Sequence, residues 1–290
     1  MSKEVCEAIN QIDKGITVNV NNSKAMIEFD NILTEYCIAE NEEEKCYPYE
    51  VFVNTYFIKL LNYFMNIENL KNNKYTEYAT LWLCHKLNKN SQNEISNLND
   101  FHNKYIKGNK EFFEKINDDG AYNSYEDFIN KKQDMVNVNI KDMSKFYEAL
   151  QILCKMYTKI DESKSNCTKC LDDAQKFADE YEKINGNHND IEGRTYKKIL
   201  LTLFDDYDNL KKKCDKDQSS NFPTLSPIKT TPNFAQSFED TSSSSSIAGK
   251  IIPVLLTFSI SIFLGVAYKY SLFGFDKRFR RQYSREKLKK

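Results

Sequence analysis

The sequence predicts an all-α head, a disulfide-linked helical bundle, followed by a disordered stalk and a single transmembrane helix. Pro48 is the only proline before Pro223, and only five glycines fall in the first 215 residues. Because both residue types break helices, their scarcity favours long helices. Apolar residues also recur at steps of three and four, which is the period of an amphipathic helix. Residues Ile251–Tyr268 then carry no charge over 18 residues, a length that can span a bilayer.

The first half of the chain contains four predicted helices. The first has Ser23 as its N-cap and a stripe made of Met26, Phe29, Leu33 and Tyr36. The second starts at Pro48 and runs to about Leu70; it is apolar on most faces, which is typical of a central buried helix. The third is marked by Tyr75, Tyr78, Trp82 and His85, and a shorter fourth by Ile95, Leu98, Phe101 and Tyr105.

The second half contains three predicted helices with more regular stripes. These are Ile140, Met143, Tyr147, Leu150, Cys154 and Tyr157; then Cys167, Leu171, Ala174, Ala178 and Tyr181; then Tyr196, Leu200, Leu203, Tyr207, Leu210 and Cys214. Each stripe carries a cysteine, so the sulfurs can face neighbouring helices. Asn117–Asn123, Lys131–Val138 and Asn185–Asp190 are predicted loops, because they are polar and rich in Asn and Lys. Asp205, Asp206 and Asp208 are interpreted as a solvated helix face, with a weak cation site as the alternative.

Eight cysteines precede the predicted span, and all are candidate disulfide partners: Cys6, Cys37, Cys46, Cys84, Cys154, Cys167, Cys170 and Cys214. An even number confined to one side of a span is typical of a disulfide framework. The gap between Cys84 and Cys154 suggests two sets of four with bonds inside each set. Reduced structural thiols are the alternative. A metal or redox site at Cys167-x-x-Cys170 is disfavoured, because neither a second such pair nor a histidine at ligand spacing accompanies it.

The motifs of common enzymes are missing, so the chain is predicted not to be an enzyme and to need no cofactor, metal or small-molecule substrate. It has no phosphate-binding glycine loop, nucleophile elbow, zinc-protease motif or EF-hand. Cys84 and His85 come nearest to a nucleophile and base, but adjacent helical residues point about 100° apart. His85 is therefore interpreted as a packed histidine.

The carboxy-terminal part has three predicted segments after a head of residues 1–215. Residues 216–246 form a stalk, because sixteen of these 31 residues are Ser, Thr or Pro. Residues 247–268 form the transmembrane helix, and 269–290 form a tail with net charge +7. A basic flank favours the cytoplasmic side, which puts the head on the opposite side. The tail is expected to contact lipid rather than nucleic acid.

Several segments resemble one known family, the Plasmodium interspersed repeat (PIR) proteins of rodent malaria parasites. They are TLWLCHKLN at Thr80–Asn88, LNDFHNKYI at Leu98–Ile106, LCKMYTK at Leu153–Lys159, NCTKCLDDAQKFADEYEKING at Asn166–Gly186, YKKILLTLFDDYDNLKKKC at Tyr196–Cys214, and the span and tail from Ile251 to Tyr283. The resemblance implies a variant antigen exported to the infected host cell and placed in a host or parasite-derived membrane. It also implies antigenic variation, immune evasion and interaction with a host receptor or antibody.

A second hypothesis keeps the head in the cytosol as a membrane-tethered scaffold or trafficking protein. It rests on the first residues, which lack the apolar run of a secretory signal. The two hypotheses differ in the state of the cysteines, because disulfides persist in oxidising compartments and are rare in the cytosol.

Overall fold

The computed structural model describes residues 1–21, 24–29, 38–40, 43–45, 49–66, 74–89, 95–116, 121–160, 167–186, 194–214 and 221–228. These residues fall within a compact unit that extends from Met1 to Thr230. They are mostly helical, which confirms the predicted helical head. The predicted span, the basic tail and most of the stalk lie outside the described residues.

The chain begins with a helix that was not predicted, α1 (Lys3–Gly15). The hydroxyl of Ser2 caps it by accepting from the Val5 N–H at 3.5 Å. Val5, Ile9 and Ile12 are buried along one face. Their spacing is helical, but a run this short depends on packing against the rest of the head for its stability.

Two small antiparallel hairpins follow α1. β1 (Ile16–Asn21) pairs with β2 (Lys24–Phe29), and β3 (Ile38–Glu40) pairs with β4 (Glu43–Lys45). The helix predicted from the Ser23 cap is therefore wrong over Lys24–Phe29. Its partner strand is rich in β-branched residues, which prefer extended backbone, and cross-strand pairing outweighed a short stripe with helical spacing.

The centre of the head is built on α2 (Tyr49–Asn66) and α3 (Lys74–Lys89), and both helices were predicted. They pack against each other. Phe52 and Phe57 of α2 and Trp82 of α3 are almost completely buried. The expectation of a central apolar helix after Pro48 is confirmed.

The middle of the chain contains more helix than its sequence predicts. α4 (Leu98–Phe101) continues into a π-helical turn, His102–Ile106, and a 3-10 turn, Lys107–Asn109. α5 (Lys110–Ile116), α6 (Ala121–Lys131) and α7 (Gln133–Val136) follow. Parts of α6 and α7 lie where loops were predicted. Tyr122, Tyr125 and Phe128 are buried at helical spacing, so this packing explains α6 despite its polar composition.

The last helices match the three predicted stripes. The first stripe forms α8 (Ile140–Ser144) and α9 (Phe146–Lys159), which are separated at Lys145. A 3-10 turn, Thr168–Cys170, leads into α10 (Leu171–Gly186), and α11 (Arg194–Lys213) follows. α9 packs against α1, α3, α10 and α11, so it is the central support of this half.

A segment without regular secondary structure, Asn221–Ile228, lies on the head after α11. We call it the strap. Its Phe222 and Leu225 side chains are buried. These residues were assigned to the stalk because the composition of residues 216–246 is polar on average, and that average concealed two apolar side chains with a place in the core.

Candidate functional site

Two disulfides join helices of the head. Cys6 of α1 bonds to Cys154 of α9, with Cα atoms 4.9 Å apart and a sequence separation of 148. Cys167 bonds to Cys214 at the end of α11, with Cα atoms 5.7 Å apart. Both separations suit an unforced bridge. Three of the four sulfurs lie on the predicted apolar stripes, and the fourth, Cys6, is buried on α1. The first disulfide therefore ties α1 to α9, and the second ties the start of α10 to the end of α11.

The pairing differs from the prediction in two ways. The Cys6–Cys154 bond joins the two sets of four that the spacing had separated, so that partition is wrong. Cys84 and Cys170 are free and buried, so the expectation that all eight cysteines are cross-linked is wrong for these two. Cys37 and Cys46 lie outside the described residues.

The free cysteines are packed thiols rather than nucleophiles. Burial raises the pKa of the Cys84 thiol far above its usual range, which keeps the sulfur protonated and unreactive at neutral pH. Burial also raises the pKa of Cys170. Cys170 does not bond to its neighbour in the Cys167-x-x-Cys170 sequence. Among the described residues no group of three His, Cys, Asp or Glu side chains could hold a metal ion.

His85 packs as the sequence predicts, against an aromatic ring of another helix. Its ring lies 4.3 Å from that of Tyr147, measured between centroids. Burial lowers the pKa of His85 to about 4, and the positive charges of Lys89 and Lys86 act in the same direction. His102 lies on the π-helical turn, where its Nδ1 is 3.1 Å from the hydroxyl of Tyr125. Burial lowers the pKa of His102 as well.

Asp206 is a buried acidic centre and not the solvated residue that the sequence suggested. Its carboxylate accepts hydrogen bonds from the Lys74 ammonium at 2.7 Å, the Tyr78 hydroxyl and the amino group of Met1. The Tyr157 hydroxyl donates to its backbone carbonyl at 2.8 Å. The cluster therefore joins α3, α9 and α11. The position could have been found from the sequence, because residue 206 falls on the buried stripe of Leu203 and Leu210.

A second buried polar cluster lies at the carboxy-terminal end of α1. The ammonium of Lys86, almost completely buried, lies 2.8 Å from the Asp13 carboxylate and donates to the backbone carbonyl of Ile16 at 2.7 Å. The indole of Trp82 and the hydroxyl of Tyr147 also donate to Asp13, at 3.1 and 3.2 Å. These bonds hold the end of α1 against α3 and α9.

The described surface is polar. Met65 and Leu201 are its exposed large apolar side chains, and they belong to different helices, α2 and α11. Single exposed apolar residues are ordinary on soluble heads and do not form a binding patch. The described residues form a helical frame that two disulfides and two buried polar clusters hold together.

The membrane prediction concerns a part of the chain that the structure leaves undescribed. No helix among the described residues has both the length and the apolarity that crossing a bilayer would require. Ile251–Tyr268 lies outside the described residues.

Comparison with known proteins identifies the family. The family model described as "Plasmodium variant antigen protein Cir/Yir/Bir" matches residues 6–269. A solved structure, the ectodomain of a Plasmodium PIR protein, is 31% identical, with a TM-score of 0.51; the match covers 79% of this chain and 99% of that one. No curated protein matches. The disulfide-linked helical head and these two matches together show that the chain belongs to the PIR family of Plasmodium variant antigens.

Proposed function

We propose that this protein is a membrane-anchored variant antigen that is exported to the infected host cell and works by binding and display, without catalysis. Its head would lie on the non-cytosolic side of the membrane, with the basic tail in the cytoplasm. Its partners would be the lipid bilayer and a host receptor or antibody. Host interaction, antigenic variation and immune evasion are the roles that membership of the family supports.

The observation that carries the proposal is the pair of disulfides. Cys6–Cys154 links helices at opposite ends of the described chain, Cys167–Cys214 links two consecutive helices, and all four cysteines are buried. Such bonds persist where the compartment is oxidising, as outside the cell, and are rare in the cytosol. They favour a displayed head over the cytosol-facing scaffold.

Differential labelling of thiols in infected cells tests this side of the proposal. Free thiols are blocked with N-ethylmaleimide in denaturant at the moment of lysis, and disulfides are then reduced and labelled with its deuterated form. Mass spectrometry should find the deuterated label on Cys6, Cys154, Cys167 and Cys214, and the first label on Cys84 and Cys170. Cys84 and Cys170 serve as internal controls for complete blocking. The first label on all six would show a reduced head and support the scaffold instead.

The anchor is tested separately, by extraction and protection. The full-length chain should remain with membranes in alkaline carbonate, and protease added to the non-cytosolic face should remove the head while sparing the tail. Release by carbonate would refute the span. Digestion of the tail with a protected head would show the opposite orientation.

A further inference from the structure

The strap is bound to the head through its backbone. The Tyr207 hydroxyl donates to the Pro223 carbonyl at 2.9 Å, and the Lys211 ammonium donates to the Phe222 carbonyl at 3.2 Å. Both donors belong to α11. These two consecutive carbonyls belong to a segment without regular secondary structure, so side chains of α11 supply the hydrogen bonds that a helix or sheet would otherwise provide.

α10 supplies the contacts at the other end of the strap. The Tyr181 hydroxyl donates to the Ser226 carbonyl at 3.4 Å, and the Asn185 amide donates to the Pro227 carbonyl at 3.2 Å. The Ser226 N–H donates to the Glu182 carboxylate at 2.7 Å. Side chains of two helices therefore bind the backbone of the strap, as the walls of a groove bind an extended peptide ligand.

Two apolar side chains of the strap are buried in the head. The Phe222 ring lies 6.1 Å from that of Tyr207, and Leu225 is buried close by in sequence. Pro223 and Pro227 lack an N–H, which suits a ligand that is recognised mainly by its carbonyl groups. The ligand chemistry is thus an extended peptide with an aromatic residue before a proline and an apolar residue three positions after the aromatic one.

The groove does not need the strap for its shape. α10 and α11 both pack on α9, and the Cys167–Cys214 bond ties them together. The Phe177 ring of α10 stacks on the Tyr207 ring of α11, with centroids 4.9 Å apart. The strap follows the last of these covalent ties and contains no cysteine, so it can leave while the groove remains.

We propose that the face of α10 and α11 beneath the strap is a peptide-binding site, and that it accepts the strap of a second copy of this chain as well as its own. A second copy carries an identical ligand, and the groove residues are the same in both copies. Exchange of straps would join two heads pairwise. The proposal does not depend on catalysis, on export or on which side of a membrane the head lies.

Cysteine trapping tests the exchange in the full-length chain in detergent. Glu182→Cys is made in one tagged copy and Ser226→Cys in a second copy with a different tag, since the Glu182 carboxylate accepts a hydrogen bond from the Ser226 N–H and the two residues are therefore neighbours. The two are mixed and oxidised, and mixed dimers are measured on a non-reducing gel. The control pairs Ser226→Cys with Lys131→Cys, an exposed position on α6, to measure random collision. We expect mixed dimers at least tenfold above this control, and suppression when Phe222 and Leu225 of the Ser226→Cys copy are changed to Ser.

Each outcome decides the proposal. The double variant Glu182→Cys/Ser226→Cys should close its own disulfide; if it does not, the seating of the strap is refuted. If it does, and the mixed single variants stay at the collision level, the strap remains in its own groove and exchange is refuted.

A second measurement tests the peptide site without engineered cysteines. A fluorescent peptide of residues Asn221–Ile228 is titrated into the full-length Phe222→Ser/Leu225→Ser variant. Binding should be at least tenfold tighter than for a peptide that carries the same two serines. Equal affinities would overturn the site.

Discussion

His85 provides the sharpest test of the helical core, because its contribution to stability depends on pH. The ring packs on Tyr147, and burial lowers its pKa to about 4. An unfolded chain returns the histidine to an ordinary pKa of about 6.5. The folded state therefore holds the neutral ring, and protons bind more readily to the unfolded chain between these two values.

The sign of the effect follows from this difference. A depressed pKa in the folded state gives stability that is fully present above about pH 6.5 and is lost as the pH falls toward 4. With about 1.4 kcal/mol per pKa unit, the loss between pH 7 and pH 5 is about 2 kcal/mol. His85 is partly accessible to solvent, which reduces the expected loss to about 1–2 kcal/mol. For a head of this size that corresponds to a fall in Tm of roughly 2–8 °C.

The perturbation is His85→Phe, which keeps an aromatic ring against Tyr147 and removes the titration. Chemical denaturation and thermal melting are followed at pH 7, 6 and 5, a range in which most carboxylates stay ionised. The wild-type protein should lose stability across this range, and the variant should lose about 1–2 kcal/mol less. His102→Phe is the comparison, because its pKa is also lowered but the ring bonds to Tyr125. Equal losses in the wild-type protein and His85→Phe would refute the assignment of the low pKa to a packed, neutral His85.

Four further substitutions test the buried polar groups. Asp206→Asn should cost about 3–5 kcal/mol in urea denaturation at pH 7, because the Lys74 ammonium and the amino group beside it lose their buried counter-charge; a loss below about 1 kcal/mol would contradict this. Asn54→Leu should stabilise the fold by about 1–3 kcal/mol, since both polar atoms of this fully buried side chain lack a hydrogen-bond partner. Asn185→Leu should instead destabilise it, because an equally buried amide loses its bond to the strap. A loss of stability in both variants would contradict this difference. Burial alone would raise the pKa of Asp173, but hydrogen bonds from two lysines lower it overall. The stability that this carboxylate contributes is therefore present above about pH 4 and is lost as the pH falls further. Asp173→Asn should remove that part of the acid sensitivity, and an acid unfolding transition unchanged by the substitution would contradict this reasoning.

The helices that could be predicted are those whose apolar faces reach the centre of the head. α2, α3, α9, α10 and α11 carry long stripes, and burial of these stripes decides both where the helices form and how they face. The elements that were missed are short or polar. α1 and α6 depend on contacts with distant parts of the chain, and β2 needs the partner strand β1 to satisfy its backbone. Local spacing contains no information about those contacts.

The disulfide pairing also depends on contacts between distant parts of the chain. Spacing along the chain suggested that Cys6 would pair within the first half, yet α1 packs on α9 and brings Cys6 to Cys154. Cys84 is also buried, on α3, yet it forms no disulfide and remains a thiol. Position on an apolar stripe was a sound guide to burial, whereas the partner depended on which helices meet.

The strap differs from the cross-linked frame in how strongly it is held. Burial of Phe222 and Leu225 contributes about 1.5–3 kcal/mol each, and five hydrogen bonds contribute about 0.5–1.5 kcal/mol each. Ordering the eight backbone residues costs about 1–2 kcal/mol per residue, which is of the same size as the sum of these gains. α10 and α11 beneath the strap are joined by the Cys167–Cys214 disulfide and by the stacked rings of Phe177 and Tyr207, so their packing does not depend on so small a difference between gain and cost. A head built in this way can release its last segment at small cost while the groove keeps its form, and that difference is what makes exchange between copies possible.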